Sequence, residues 1–197
     1  MATEDFDVAE PGDKTCAVNN FALSGINHLA LVCSDMARTV DFYENTLGMP
    51  LIKTVELPVD MGQHFFFDCG NGDALAFFWF AKAPAAAPGI SSPAARPDTG
   101  DTVTAHASMN HVAFSVPPDA IDGYVEKLRQ AGVECSDVVN HDDSEWGVSH
   151  DQHPGVFVRS IYFTDPDGIL LEFAAWQREL GPDDVAHTPV SPNNSKD

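Results

Sequence analysis

One short pattern occurs twice in this chain, and that duplication limits the fold more than any other feature. The copies are Gly25-Ile26-Asn27-His28-Leu29-Ala30-Leu31-Val32 and Ser108-Met109-Asn110-His111-Val112-Ala113-Phe114-Ser115-Val116. Each pairs Asn-His with an apolar stretch that suits a strand. In the first copy Asp35 is a candidate helix N-cap, and Met36, Val40, Tyr43 and Leu47 keep the helical period up to Gly48. Strand-like runs follow at 51–57, 63–69 and 74–80, the last two joined by Asn71-Gly72, a hairpin signal. The second copy repeats the order. A strand at 110–116 precedes a helix opening at Pro118-Asp119, carrying Ile121, Tyr124, Val125 and Leu128 and closing at Gly132. Strands near 133–139, 157–164 and 169–176 follow, with Asp165-Pro166-Asp167-Gly168 turning between the last two.

A unit of β-α-β-β-β order occurring twice predicts an α+β chain of two tandem modules forming a shared metal-binding cleft. The expected organisation is an arm at 1–21, modules at 22–81 and 108–176, a Pro- and Ala-rich linker at 82–107, and a polar tail at 177–197. In each module one sheet face would carry the helix and the other would face the cleft, and the modules would meet through their first strands.

Side-chain alternation selects the cleft residues. His28 shares a face with Ile26, Ala30 and Val32, and His111 shares one with Ala113 and Ser115. The opposite face of the second strand, Val112, Phe114 and Val116, is greasier and should pack on the helix. Glu172 lines up with Leu170, Ala174 and Trp176, and an even separation across the hairpin puts Tyr162 on its face. A buried carboxylate needs a partner, and a metal held by His28, His111 and Glu172 would supply one.

Composition narrows the partners. The chain has 197 residues and 44% hydrophobic content, enough to bury a core. Its 10 Lys and Arg stand against 30 Asp and Glu, and a net charge of −20 disfavours nucleic acid and anionic membrane surfaces. The opening residues are acidic without the apolar run of a secretory signal, and no stretch approaches the ~18 apolar residues of a membrane span. Four scattered cysteines, Cys16, Cys33, Cys69 and Cys135, suit a cytoplasmic chain with free thiols.

At these residues the chain resembles the vicinal oxygen chelate superfamily, which includes glyoxalases, fosfomycin-resistance enzymes and extradiol dioxygenases. The resemblance covers about residues 22–176. It implies two βαβββ modules around a divalent metal, with His28 and His111 as first-strand ligands and Glu172 as the fourth-strand ligand. The fourth-strand position of the first module falls on Ala76, so the four-ligand site of glyoxalase I is absent. Two His and one carboxylate match the facial set of non-haem iron oxygenases. His153 followed by Tyr162-Phe163-Thr164-Asp165-Pro166-Asp167-Gly168-Ile169-Leu170-Leu171-Glu172 resembles the extradiol signature.

That resemblance implies an Fe(II) dioxygenase, with Mn(II) as the second metal that fits, cleaving a catechol-like or hydroquinone-like diol with O₂. Tyr162 would hydrogen-bond the substrate oxygen, and His153 would donate or orient a proton. Asp73 would stand where the family carries a catalytic histidine. A homodimer is expected. The alternatives are a fosfomycin-resistance-type metal-dependent transferase, another glyoxalase-like lyase, or a non-catalytic binding protein for a small aromatic compound or antibiotic. Segment 141–153 is expected to be a polar lid or a solvated loop.

Overall fold

The computed structural model describes residues 26–87, 96–100, 103–106 and 108–184. Gly25–Arg178 forms one compact unit. The described residues 179–184 belong to a separate unit. The expected arm, most of the tail, and linker residues 88–95, 101–102 and 107 therefore lie outside the described residues.

The first module runs β1 (His28–Val32), α1 (Met36–Val40), β2 (Leu51–Glu56), β3 (Gly62–Gly70) and β4 (Asp73–Phe80). The second runs β5 (Val112–Ser115), α2 (Ile121–Gln130), β6 (Val139–His141), β7 (Val148–Ser149), β8 (Val158–Thr164) and β9 (Leu170–Trp176). The sheets are ordered β1-β4-β3-β2 and β5-β9-β8-β6-β7. In both, the first strand pairs parallel with the last, and the others pair antiparallel. This is the α+β architecture of two tandem βαβββ modules.

Local chemistry explains the first module. Asp35 is extended, and its Oδ1 accepts from the Arg38 N–H at 3.1 Å, capping α1. The helix then widens into a π turn at Asp41–Thr46, where the Leu47 N–H donates to the Phe42 carbonyl at 3.0 Å. Widening lets consecutive residues, Phe42 and Tyr43, both turn inward and become buried. At the β3–β4 turn Asn71 and Gly72 have φ of 57° and 82°, the two left-handed residues of a tight hairpin.

The second module departs from expectation at its third strand. The strand expected at 133–139 is displaced to Val139–His141, and Cys135 makes only an isolated bridge to Phe163. The short β7 lies inside the segment expected to be a lid. Helix α2 begins at Ile121, two residues after Asp119, without a side-chain cap.

One core joins the modules. It includes Leu31, Tyr43, Phe67, Leu75 and Phe77 from the first, and Phe114, Ile121, Ile161, Phe163 and Leu171 from the second. Polar ties cross the same junction. Asp167 at the β8–β9 turn accepts from the Ser34 N–H at 2.9 Å, from the Ser34 hydroxyl, and from Arg38 at 2.8 Å. Tyr43 donates to Asp165 at 3.2 Å. Among the described residues no strand of one sheet pairs with the other. The modules were expected to meet through their first strands. They meet instead through the greasier helix-side faces, because those bury the most apolar surface. The histidine-bearing faces are left outward.

Candidate metal centre

The second sheet assembles most of the site. Glu172 on β9 lies in register with Ala113 on β5 and with Tyr162 on β8. The small Ala113 leaves room beside it, and His111, just ahead of β5, places Nε2 3.0 Å from Glu172 Oε2. Glu172 is buried, and its Oε1 accepts from the Ser160 hydroxyl. Desolvation alone would raise the pKa of this carboxyl. Hydrogen bonds from His111 and Ser160 outweigh it and hold the group below its ordinary value. Burial, reinforced by the Glu172 charge, pushes the Tyr162 phenol up to about 12. Tyr162 therefore stays protonated, with its Oη 3.0 Å from His141 Nε2.

Both repeats orient their histidine in the same way. Asn110 Oδ1 lies 2.8 Å from His111 Nδ1, and Asn27 Oδ1 lies 2.8 Å from His28 Nδ1. An amide oxygen only accepts, so each Nδ1 carries the hydrogen. Nε2 is then the nitrogen that a metal ion would take, in His111 in place of its hydrogen bond to Glu172, and a hydrogen bond that fixes a ligand tautomer is the usual support of a metal-binding histidine. Each Asn-His dipeptide thus pairs an imidazole with its own orienting amide.

The donor chemistry fits a divalent ion in part. Two donors each ~2.1 Å from an octahedral ion, at right angles, stand about 3.0 Å apart, which matches the His111–Glu172 separation. His28 does not join them. Among the described residues, no group of three or more His, Cys, Asp or Glu side chains is arranged to hold an ion. His28 lies exposed on the first sheet, its ring 5.6 Å from that of Phe66.

The other sequence-derived candidates fall elsewhere. His153 Nε2 lies 3.0 Å from Asp142 Oδ2, and His153 Nδ1 accepts from the Gly155 N–H at 3.1 Å. Both ring nitrogens are thus engaged within its own loop. Asp73 alternates with Ala74, the register partner of His28, so it falls on the opposite face of β4. Ala76 is buried on the His28 side, in register with Ala30. His141 and Ser160 were not singled out. The signal for Ser160 was its even spacing from Tyr162 along β8. His141 becomes visible only once β6 is known to end there. A cavity of about 540 Å³ opens at the module junction, lined by Met49, Phe114, Tyr124 and Lys127 among others, and none of the site residues lines it.

Residues 25–173 match the model of the Glyoxalase/Bleomycin resistance protein/Dioxygenase superfamily. The chain belongs to that superfamily. It is 29% identical over 151 residues to the metallothiol transferase FosB of Lysinibacillus sphaericus (strain C3-41), spanning 77% of this chain and 82% of that protein. It is 23% identical over 153 residues to the fosfomycin resistance protein FosX of Listeria monocytogenes serovar 1/2a (strain ATCC BAA-679 / EGD-e), spanning 78% and 90%. Among solved structures, a glyoxalase family protein from Enterococcus faecalis superposes with a TM-score of 0.53 at 23% identity, covering 77% of this chain and 97% of that one. That likeness supports the fold alone.

These relatives correct the expected activity. The named relatives at this similarity are metallothiol transferases and a fosfomycin resistance protein, not Fe(II) dioxygenases acting on aromatic diols with O₂. The structure supplies the reason the motif misled. Asp165 Oδ1 accepts from the N–H groups of Asp167 and Ile169 at 2.9 and 2.8 Å. The Asp-Pro-Asp-Gly run is therefore a turn that sets the β8–β9 register and ties the modules together. It belongs to the fold and says nothing about ring cleavage.

Proposed function

We propose that this protein is a metal-dependent transferase of the fosfomycin-resistance type, adding a low-molecular-weight thiol to a small epoxide. The metal would be held by His111 and Glu172 of one chain and His28 of a second copy. The observation that carries this reading is the twinned Asn-His arrangement, together with the buried Glu172 carboxylate 3.0 Å from His111. The likeness to a protein named a metallothiol transferase supports thiol transfer as the reaction class. Two imidazoles and a carboxylate take Mn(II) or Fe(II) alike.

A second copy follows from where the third donor lies. Both histidine-bearing faces carry exposed apolar residues, with Ile26 at 69% and Val32 at 51% beside His28, and Trp176 at 50% beyond Glu172. Such patches mark interaction surfaces. A two-fold dimer would set the first sheet of each copy against the second sheet of the other, giving two complete sites. A reducing, cytoplasmic setting suits the free thiols Cys33, Cys69 and Cys135.

When bound, the ion would polarise the epoxide oxygen and offset its growing charge. The chain's own residues do the rest. Ser160 holds Glu172 ionised and oriented. The thiol sulfur forms a C–S bond as the C–O bond breaks. The released oxygen takes a proton from Tyr162 Oη, which the thiol proton replaces through solvent. His141 holds Tyr162 Oη in place for that transfer.

The test is mixing. His28→Ala and His111→Ala proteins each lack a complete site and should bind little Mn(II). Mixed, unfolded and refolded together, they should recover about one quarter of the wild-type sites, because half the dimers are mixed and each has one intact site. No recovery, from variants that still dimerise, refutes the shared centre.

A further inference from the structure

The first sheet presents a ring array beside His28. Phe66 and His64 on β3, and Phe78 and Phe80 on β4, fall on the His28 side by register, with Phe66 opposite Ala76, His64 opposite Phe78, and Ala76 beside Ala30. His64 stacks on Phe78 with centroids 3.6 Å apart and planes within 7°. Phe78 stacks on Phe80 at 5.1 Å and 8°. Phe66 meets His64 edge-on at 4.3 Å and His28 at 5.6 Å. All four array rings are half-buried. The His64 ring is also pinned, because its Nδ1 lies 3.1 Å from the Phe77 carbonyl, an acceptor only. Nδ1 therefore donates, and the ring offers a fixed π face.

Charge near the second-sheet donors runs the other way. Six of the described cations are engaged away from His111, Glu172 and Tyr162. Arg38 binds Asp167, Arg129 binds Asp137, Arg159 binds Asp122, Arg96 binds Asp98, and Lys127 lies over Tyr124. Arg178 lies 4.0 Å from Asp143. On the first sheet two cations stand at the margins of this face: Lys53, exposed on the edge strand opposite Phe66, and the exposed Lys82, two residues beyond Phe80 and lining a cavity with it. Fosfomycin carries a phosphonate, which needs cations where it is desolvated. A chain of net charge −20 repels such an anion.

We infer that the epoxide this site takes carries a flat, uncharged aromatic ring, which seats on the His64–Phe78–Phe80 stack of one copy, with Phe66 edge-on, while the epoxide oxygen points toward His111 and Glu172 of the second copy. Offset stacking on such rings adds affinity beyond area burial. This inference rests on the transferase reading above. It keeps that chemistry, with a thiol as co-reactant and the same C–S for C–O exchange, and names the body of the substrate.

The experiment uses the full chain, metal-free and Mn(II)-loaded, with 2-naphthol and methylphosphonate as binding probes in calorimetry. We expect 2-naphthol to bind at least tenfold more tightly than methylphosphonate in both forms. Phe78→Leu should weaken 2-naphthol roughly 3- to 10-fold and leave Mn(II) affinity, read by electron paramagnetic resonance, unchanged. Phe80→Leu, at the end of the stack, provides a second variant should Phe78→Leu fail to fold. With Mn(II) and a thiol, styrene oxide should exceed fosfomycin in kcat/KM by tenfold or more. Tighter binding of methylphosphonate overturns the inference. So does 2-naphthol binding that neither variant weakens, or faster turnover of fosfomycin. Preferential 2-naphthol binding by metal-free protein supports the aromatic seat even if Mn(II) does not bind, so the two readings fail separately.

Discussion

Asp165 gives the sharpest stability test, because it is a buried carboxyl at the seam between the modules. It is 5% exposed, and its Oδ2 accepts from the Tyr43 hydroxyl while Oδ1 accepts from the Asp167 and Ile169 N–H groups. Burial dominates its titration. The backbone donors favour the ionised form and the Asp167 charge opposes it, and the net result lifts the pKa from 3.8 to about 6. Each pKa unit is worth about 1.4 kcal/mol, so ionised Asp165 costs the fold about 3 kcal/mol relative to its protonated form. A folded-state pKa above the unfolded one gives stability that is complete below about pH 4 and is lost as pH rises through 6. Between pH 8 and pH 5, roughly 1.4 kcal/mol of it returns. The isoelectric point near 4.4 makes pH 5 a practical lower limit for solubility. Asp165→Asn keeps an Oδ1 acceptor for the two N–H groups and removes the charge at every pH. Urea unfolding of both proteins at pH 5 and pH 8 isolates the group, since other carboxylates cancel in the difference. Wild type should gain about 1.4 kcal/mol on the variant at pH 5 relative to pH 8. A flat difference, or a gain at pH 8 instead, refutes the assignment of burial as the dominant cause.

Two further outcomes follow from the site and the first sheet. Asn110→Ala removes the acceptor that fixes His111 Nδ1, and should lower Mn(II) affinity about 10- to 100-fold with the unfolding midpoint of the metal-free protein nearly unchanged; unchanged affinity by titration would show that His111 is oriented by Glu172 alone. Gly62→Ala should destabilise the protein by ~3 kcal/mol or more in chemical unfolding, because Gly62 has φ 145° and an added Cβ would lie 1.8 Å from the Trp79 carbonyl oxygen; a loss under ~1 kcal/mol would mean the β3–β4 pairing shifts freely at that end.

The duplicated pattern was legible because both of its signals are local. Alternation along 26–32 and 110–116 reports a face, and Asn71-Gly72 reports a hairpin, whatever the chain packs against. The same locality exposed Glu172 and Tyr162 as face-mates, which are register partners in the second sheet. The Asn preceding each histidine was also in plain view, and its hydrogen bond to Nδ1 is a contact between adjacent residues.

Only the tertiary structure decided which faces meet. Two amphipathic modules can join through their histidine faces or their helix-side faces, and the periodic pattern is the same in either case. The helix-side union wins within one chain by burying Tyr43, Phe67, Phe77, Ile161 and Phe163 in a common core, with Asp165 and Asp167 tying the seam. That choice leaves His28 apart from His111 and Glu172, and turns a motif that resembled catalytic machinery into a structural turn. His141 was hidden for a related reason. Its place beside Tyr162 depends on where β6 pairs with β8, a non-local register set by packing rather than by the residues of β6 themselves.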